Sequence, residues 1–70
     1  MPSLNDCPPG TTVRVVGATG PDRRRLFDFG FVPGAEVTVI ARSVAGGVLV
    51  GLGDARVALD SGTASRLRHR

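Results

Sequence analysis

Arg23-Arg24-Arg25-Leu26-Phe27-Asp28-Phe29-Gly30-Phe31-Val32-Pro33-Gly34 decides how this 70-residue chain folds. Gly30 falls where a helix ends in the left-handed conformation, which side chains with a Cβ resist. Phe31 then stands just past the cap, placed to fold back on Leu26, the contact that accompanies such caps. Val32-Pro33-Gly34-Ala35 follows with proline and glycine at the two central positions of a type II turn. Helix, stop signal, apolar lock and turn thus occupy twelve residues, and an alternating strand pattern starts immediately afterwards.

Upstream, Thr12-Val13-Arg14-Val15-Val16 alternates as a first strand with Val13 and Val15 inward. Gly17 and Gly20 break that pattern ahead of Pro21, which suits the first helical position, and Asp22 favours the positive end of the helix. The spacing predicts a helix of about two turns ending at Phe29. Downstream, Glu36 to Arg42 is a strand with Val37 and Val39 buried. Gly46-Gly47 marks a hairpin, and Val48-Leu49-Val50-Gly51-Leu52 runs back. Gly53-Asp54 turns into Ala55 to Leu59, with Val57 and Leu59 inward. Asp60 or Ser61 caps a helical turn through Ala64, and Arg66 to His69 makes a short, charged closing edge strand.

The expected fold is therefore mostly β: a small SH3-like, partly open barrel of about five strands. One short helix follows the first strand and a helical turn precedes the last. Residues 1–9 are expected as a flexible N-terminal segment and residues 10–70 as the domain. A chain this short sits near the lower limit for unassisted folding, which leaves room for weak self-association.

Composition narrows the function. The single cysteine, Cys7, excludes an internal disulfide. Only His69 could join it as a soft ligand, and the two lie at opposite ends of the chain, so neither a metal nor a cofactor is expected. Met1–Gly10 holds three prolines and no apolar run, so no signal peptide is expected. Val48-Leu49-Val50 is far short of a membrane span, and a soluble, cytoplasmic protein follows. The net charge of +3 comes with nine arginines and no lysine, which admits acidic partners without choosing among them. No carboxylate pair or Ser/Cys–His arrangement is present, and Gly17-Ala18-Thr19-Gly20 lacks the lysine and spacing of a P-loop. No enzyme activity is expected.

Arg25-Leu26, Phe29-Gly30-Phe31-Val32-Pro33-Gly34 and the strand Ala35-Glu36-Val37-Thr38-Val39 resemble the ferrous-iron transport protein A (FeoA) family. The Gly46-Gly47 hairpin, Val57-Ala58-Leu59, and Ala64 followed by Leu67 fall at that family's remaining landmarks, so the similarity covers about residues 10 to 69. Two positions depart from it: Asp60 stands where the family often has a basic residue, and His69 where an apolar one is usual, suggesting a looser closing strand. The resemblance implies a cytoplasmic accessory or regulatory protein of ferrous iron uptake, partnered with the G-protein-containing transporter FeoB. The same fold closes iron-dependent repressors of the diphtheria toxin repressor type, but no helix-turn-helix pattern precedes it here.

Partner-binding candidates are Arg23, Arg24, Arg25 and Phe27. The arginines form either a basic patch for an acidic partner or a solvated helix face, and one of them could serve a partner GTPase as an arginine finger. Leu26 and Phe29 are expected to share the core face. Phe27, roughly 160° away at about 100° per residue, is then a boundary residue or an exposed anchor. Nucleic acid is the alternative partner, weakened by the absence of tryptophan and tyrosine.

Overall fold

A computed structural model describes residues 3–70. The twelve-residue segment folds as its residues dictate. Helix α1 spans Arg23–Phe29 and stops at Gly30, whose φ is +114°. The Gly30 N–H reaches the Leu26 and Phe27 carbonyls, and the Phe31 N–H donates to the Leu26 carbonyl at 3.0 Å. This is the Schellman arrangement, and it drives Phe31 into the centre of the core, where it is fully buried. The type II turn follows, with φ +94° at Gly34 and the Ala35 N–H donating to the Val32 carbonyl at 3.0 Å.

Five antiparallel strands wrap around that plug: β1 Thr12–Ala18, β2 Glu36–Arg42, β3 Val48–Leu52, β4 Ala55–Leu59 and β5 Leu67–His69, in the order β4-β3-β2-β1-β5. Val13 pairs with Val37, Val39 with Val50, and Val50 with Val57. Register shifts after Val15 and after Val39 bend β1 and β2, which curls the sheet while β4 and β5 stay unpaired to each other. The barrel is therefore partly open, as expected. Val13, Val15, Val37, Val39, Val48 and Val50 fill it with Leu26, Phe31 and Leu67.

Helix α2, Ser61–Arg66, precedes β5 and is capped by Asp60, whose carboxylate accepts the Thr63 N–H at 2.7 Å. That bond holds the Asp60 carboxyl below the usual carboxylate range. A depressed folded-state value means the contribution is present above the ordinary carboxylate pKa and is lost as pH falls through the folded one. Asp60→Asn keeps a capping oxygen that does not titrate. Melting temperature followed against pH is therefore expected to fall less steeply into acid for Asp60→Asn than for the parent chain.

Three expectations are corrected. The helix starts at Arg23, not Pro21, with Asp22 at the N-cap and its side chain turned away. The Asp22 carboxylate pairs instead with Arg66 Nη1 at 3.0 Å, tying α1 to α2. At over a third exposed on both sides, such a pair stabilises by at most about 1 kcal/mol. Second, Phe29 is 63% exposed, not core-facing. In a two-turn helix, Leu26 and the post-cap Phe31 already fill the space above the sheet.

Third, the N-terminal segment is part of the fold from Ser3 onward, where residues 1–9 were expected to be flexible. Leu4–Asp6 form a 3-10 turn, Leu4 and Cys7 are buried in the core, and Ser3 bridges to Arg68 on the outer edge of β5. Arg42 donates from Nε to the Cys7 carbonyl at 2.8 Å and from Nη2 to the Leu4 carbonyl, clamping the segment down. His69, on the charged closing strand, is buried opposite Val15. A polar ring thus takes an apolar position in β5, and the N-terminal turn covers it.

Candidate functional site

The functional surface grows out of one topological fact. β4 ends the sheet, so one of its edges has no neighbouring strand. Gly53, at φ +60°, and Asp54 form a two-residue loop between the paired Leu52 and Ala55. In such hairpins the closing pair is hydrogen-bonded, so Ala55, Val57 and Leu59 turn their backbone groups to β3. Arg56 and Ala58 turn theirs outward.

Helix α1 stands beside that edge and leaves a groove of about 340 Å³ between them. Leu26, Phe31, Val57 and Leu59 supply its apolar floor, and Phe29 rises as its wall. Phe29 is thus an aromatic ring held in water at the rim of an apolar groove, on a helix that the Gly30 cap fixes. Large apolar groups in that setting mark interaction surfaces.

The rim is polar: Asp22, Arg25, Asp60 and Thr63. Both acids are engaged within the chain, Asp22 by Arg66 and Asp60 by the Thr63 N–H. Among the described residues the Arg66–Asp22 pair is the only ion pair, so Arg25 keeps its charge unpaired at the mouth. An extended segment could pair with the outward groups of Arg56 and Ala58, seat an apolar side chain against Phe29, and meet Arg25 with a carboxylate.

Of the four sequence candidates, the structure brings Arg25 alone into this groove. Arg24 is exposed away from it, and the Arg23 guanidinium stacks over the half-buried Phe27 ring at 5.7 Å from its centroid. Phe27 is thus a boundary residue under an arginine. Phe29 and Ala58 escaped the sequence reading. The signal for Phe29 was available: with Leu26 and Phe31 locked together by the cap, a second inward aromatic on so short a helix has no volume left to fill.

Among the described residues no three His, Cys, Asp or Glu side chains converge, and no helix is long and apolar enough to cross a membrane.

Known proteins bear on this geometry. No curated protein matches the chain at a significant level. A crystal structure of an iron uptake regulatory protein (FeoA) is 29% identical, with a TM-score of 0.86, covering 97% of this chain and 92% of its own. FeoA of Stenotrophomonas maltophilia, solved with zinc and described as a prokaryotic SH3 domain protein, is 32% identical, with a TM-score of 0.83 and coverage of 97% and 88%. A manganese-dependent transcriptional repressor is 27% identical, with a TM-score of 0.81, and 96% of this chain matches 41% of that one. The fold is therefore the SH3-like domain that the sequence suggested, shared by stand-alone proteins and by part of a repressor. The FeoA domain model matches residues 3–69, starting at the N-terminal turn that packs into the barrel, and the chain belongs to the FeoA family.

Proposed function

We propose that this protein is a cytoplasmic accessory and regulator of ferrous iron uptake. It acts by binding the G-protein-containing cytoplasmic part of a FeoB-type transporter. Its docking site is the groove between α1 and the free edge of β4. Family membership supplies the pathway, and one observation carries the site: Phe29, exposed and fixed by the helix cap, stands over an apolar groove beside an unpaired strand edge. The role is binding rather than catalysis, because the groove offers an aromatic wall, backbone groups and one free guanidinium.

The basic charge and the arginines favour nucleic acid as the second reading. The disposition of the aromatic rings speaks against it. Phe31 is in the core and Phe27 lies beneath Arg23, so Phe29 alone is free to stack and there is no platform for successive bases.

A calorimetric titration against the isolated cytoplasmic part of the transporter, with and without guanine nucleotide, tests the proposal. Saturable binding that persists at raised salt is expected, since the contact is largely apolar. Absence of binding in every nucleotide state would overturn it. So would oligonucleotide binding that collapses with salt, which reports phosphate contacts.

A further inference from the structure

Residues 7 and 69 meet in the interior: Cys7 Sγ lies 3.2 Å from His69 Nε2, and both side chains are more than nine-tenths buried. The Ser3 carbonyl oxygen completes a triangle, 3.1 Å from Nε2 and 3.9 Å from Sγ. We propose that these three atoms bind a divalent cation of the zinc class, which locks the N-terminal turn onto β5. This inference is independent of the docking groove, which lies on other elements.

Three features carry it. The first is spacing. Zinc holds sulfur at about 2.3 Å and nitrogen or oxygen at about 2.0–2.2 Å, so donors on one tetrahedral face stand roughly 3.4–3.6 Å apart. The triangle of 3.1, 3.2 and 3.9 Å brackets that value, and small side-chain shifts bring it there.

The second is proton bookkeeping. With its proton on Nε2, neutral His69 can bond Ser3 but leaves Nδ1 a buried acceptor with no partner among the described residues. With the proton on Nδ1, Nε2 and the Ser3 oxygen are two acceptors that share one donor, the Cys7 S–H. A cation that replaces the thiol proton engages all three atoms at once, while Nδ1 stays without a partner among the described residues.

The third is donor chemistry. A thiolate with an imidazole selects zinc-like ions over magnesium or calcium. Burial pushes the Cys7 thiol up, the Arg42 guanidinium clamped on its carbonyl pulls the other way, and Asp6 adds to the rise. Binding therefore releases the thiol proton, and affinity rises with pH.

The test uses the full chain, reduced, titrated with cobalt(II) and read by the near-ultraviolet thiolate-to-cobalt charge-transfer band. Zinc(II) is then added with melting temperature as the readout. The expected result is a band saturating at one equivalent. Zinc at a hundredfold excess over its Kd should raise the melting temperature by upward of about 10 °C. Cys7→Ser should abolish the band, and His69→Gln should weaken cobalt binding at least about tenfold, each blunting the zinc effect. The proposal is overturned by an absent band in the parent chain, which needs no variant to fold. It is equally overturned if affinity is unchanged in His69→Gln, or if the zinc shift persists in Cys7→Ser, since either outcome places the cation elsewhere.

Discussion

Phe31→Ala is expected to remove most of the stability of this domain. The side chain is fully buried and is the largest in the core, seated under α1 by the Gly30 cap and the bond from its N–H to Leu26. Truncating a buried phenylalanine costs about 3–5 kcal/mol, because transferred surface is lost and the cavity only partly collapses. At about 0.05–0.15 kcal/mol per residue, the whole domain holds roughly 4–10 kcal/mol. Urea denaturation followed by circular dichroism should show a midpoint near zero denaturant or an already unfolded baseline. Phe31→Leu, which keeps most of the volume, should retain a cooperative transition. A Phe31→Ala midpoint close to that of the parent chain would mean that the cap and plug do not organise the core.

Phe29→Ala should do the opposite. Its ring is mostly in water, so the melting temperature should stay within the range of ordinary surface substitutions, about 0.5 kcal/mol. If Phe29 anchors the partner, its truncation should cost at least about 2 kcal/mol of binding, roughly a thirtyfold rise in Kd by calorimetry. Phe27→Ala serves as the mirror control. It removes a half-buried ring and its contact with Arg23, so it should lower the melting temperature and leave affinity nearly intact. Arg25→Ala should weaken binding, while Arg24→Ala should not. Equal losses from Arg23, Arg24 and Arg25, with none from Phe29, would restore the basic-patch reading.

What could be read along the chain was what local chemistry decides. Gly30 and Gly34 need backbone conformations that other residues resist, Asp60 caps the helix that begins one residue later, and Gly46 and Gly53 sit at hairpin turns with positive φ. These features fixed the element order and the inward valines. The rest depended on residues far apart in sequence. Asp22 finds Arg66 across 44 positions, and Cys7 meets His69 across 62. Pro8-Pro9-Gly10 looks like the boundary of a tail, yet Leu4 and Cys7 lie before it and are buried.

The groove was hidden for a related reason. Ala58 sits on a free edge only because β4 ends the sheet, which is a property of strand order and not of the Ala55–Leu59 sequence. Phe29 was misplaced because helical periodicity shows which residues share a face. It does not show that a residue beyond the helix already fills the space that face would cover.

The most direct test of the α1–β4 groove as the docking site is amide chemical-shift mapping of the isotope-labelled protein during titration with the transporter's cytoplasmic part. Perturbations are expected to concentrate at Arg25 to Phe29, at Arg56 and Ala58 on the free edge, and at Asp60 to Thr63. Shifts confined to the face of Thr12, Thr38 and Gly51, with α1 and β4 unmoved, would contradict the assignment.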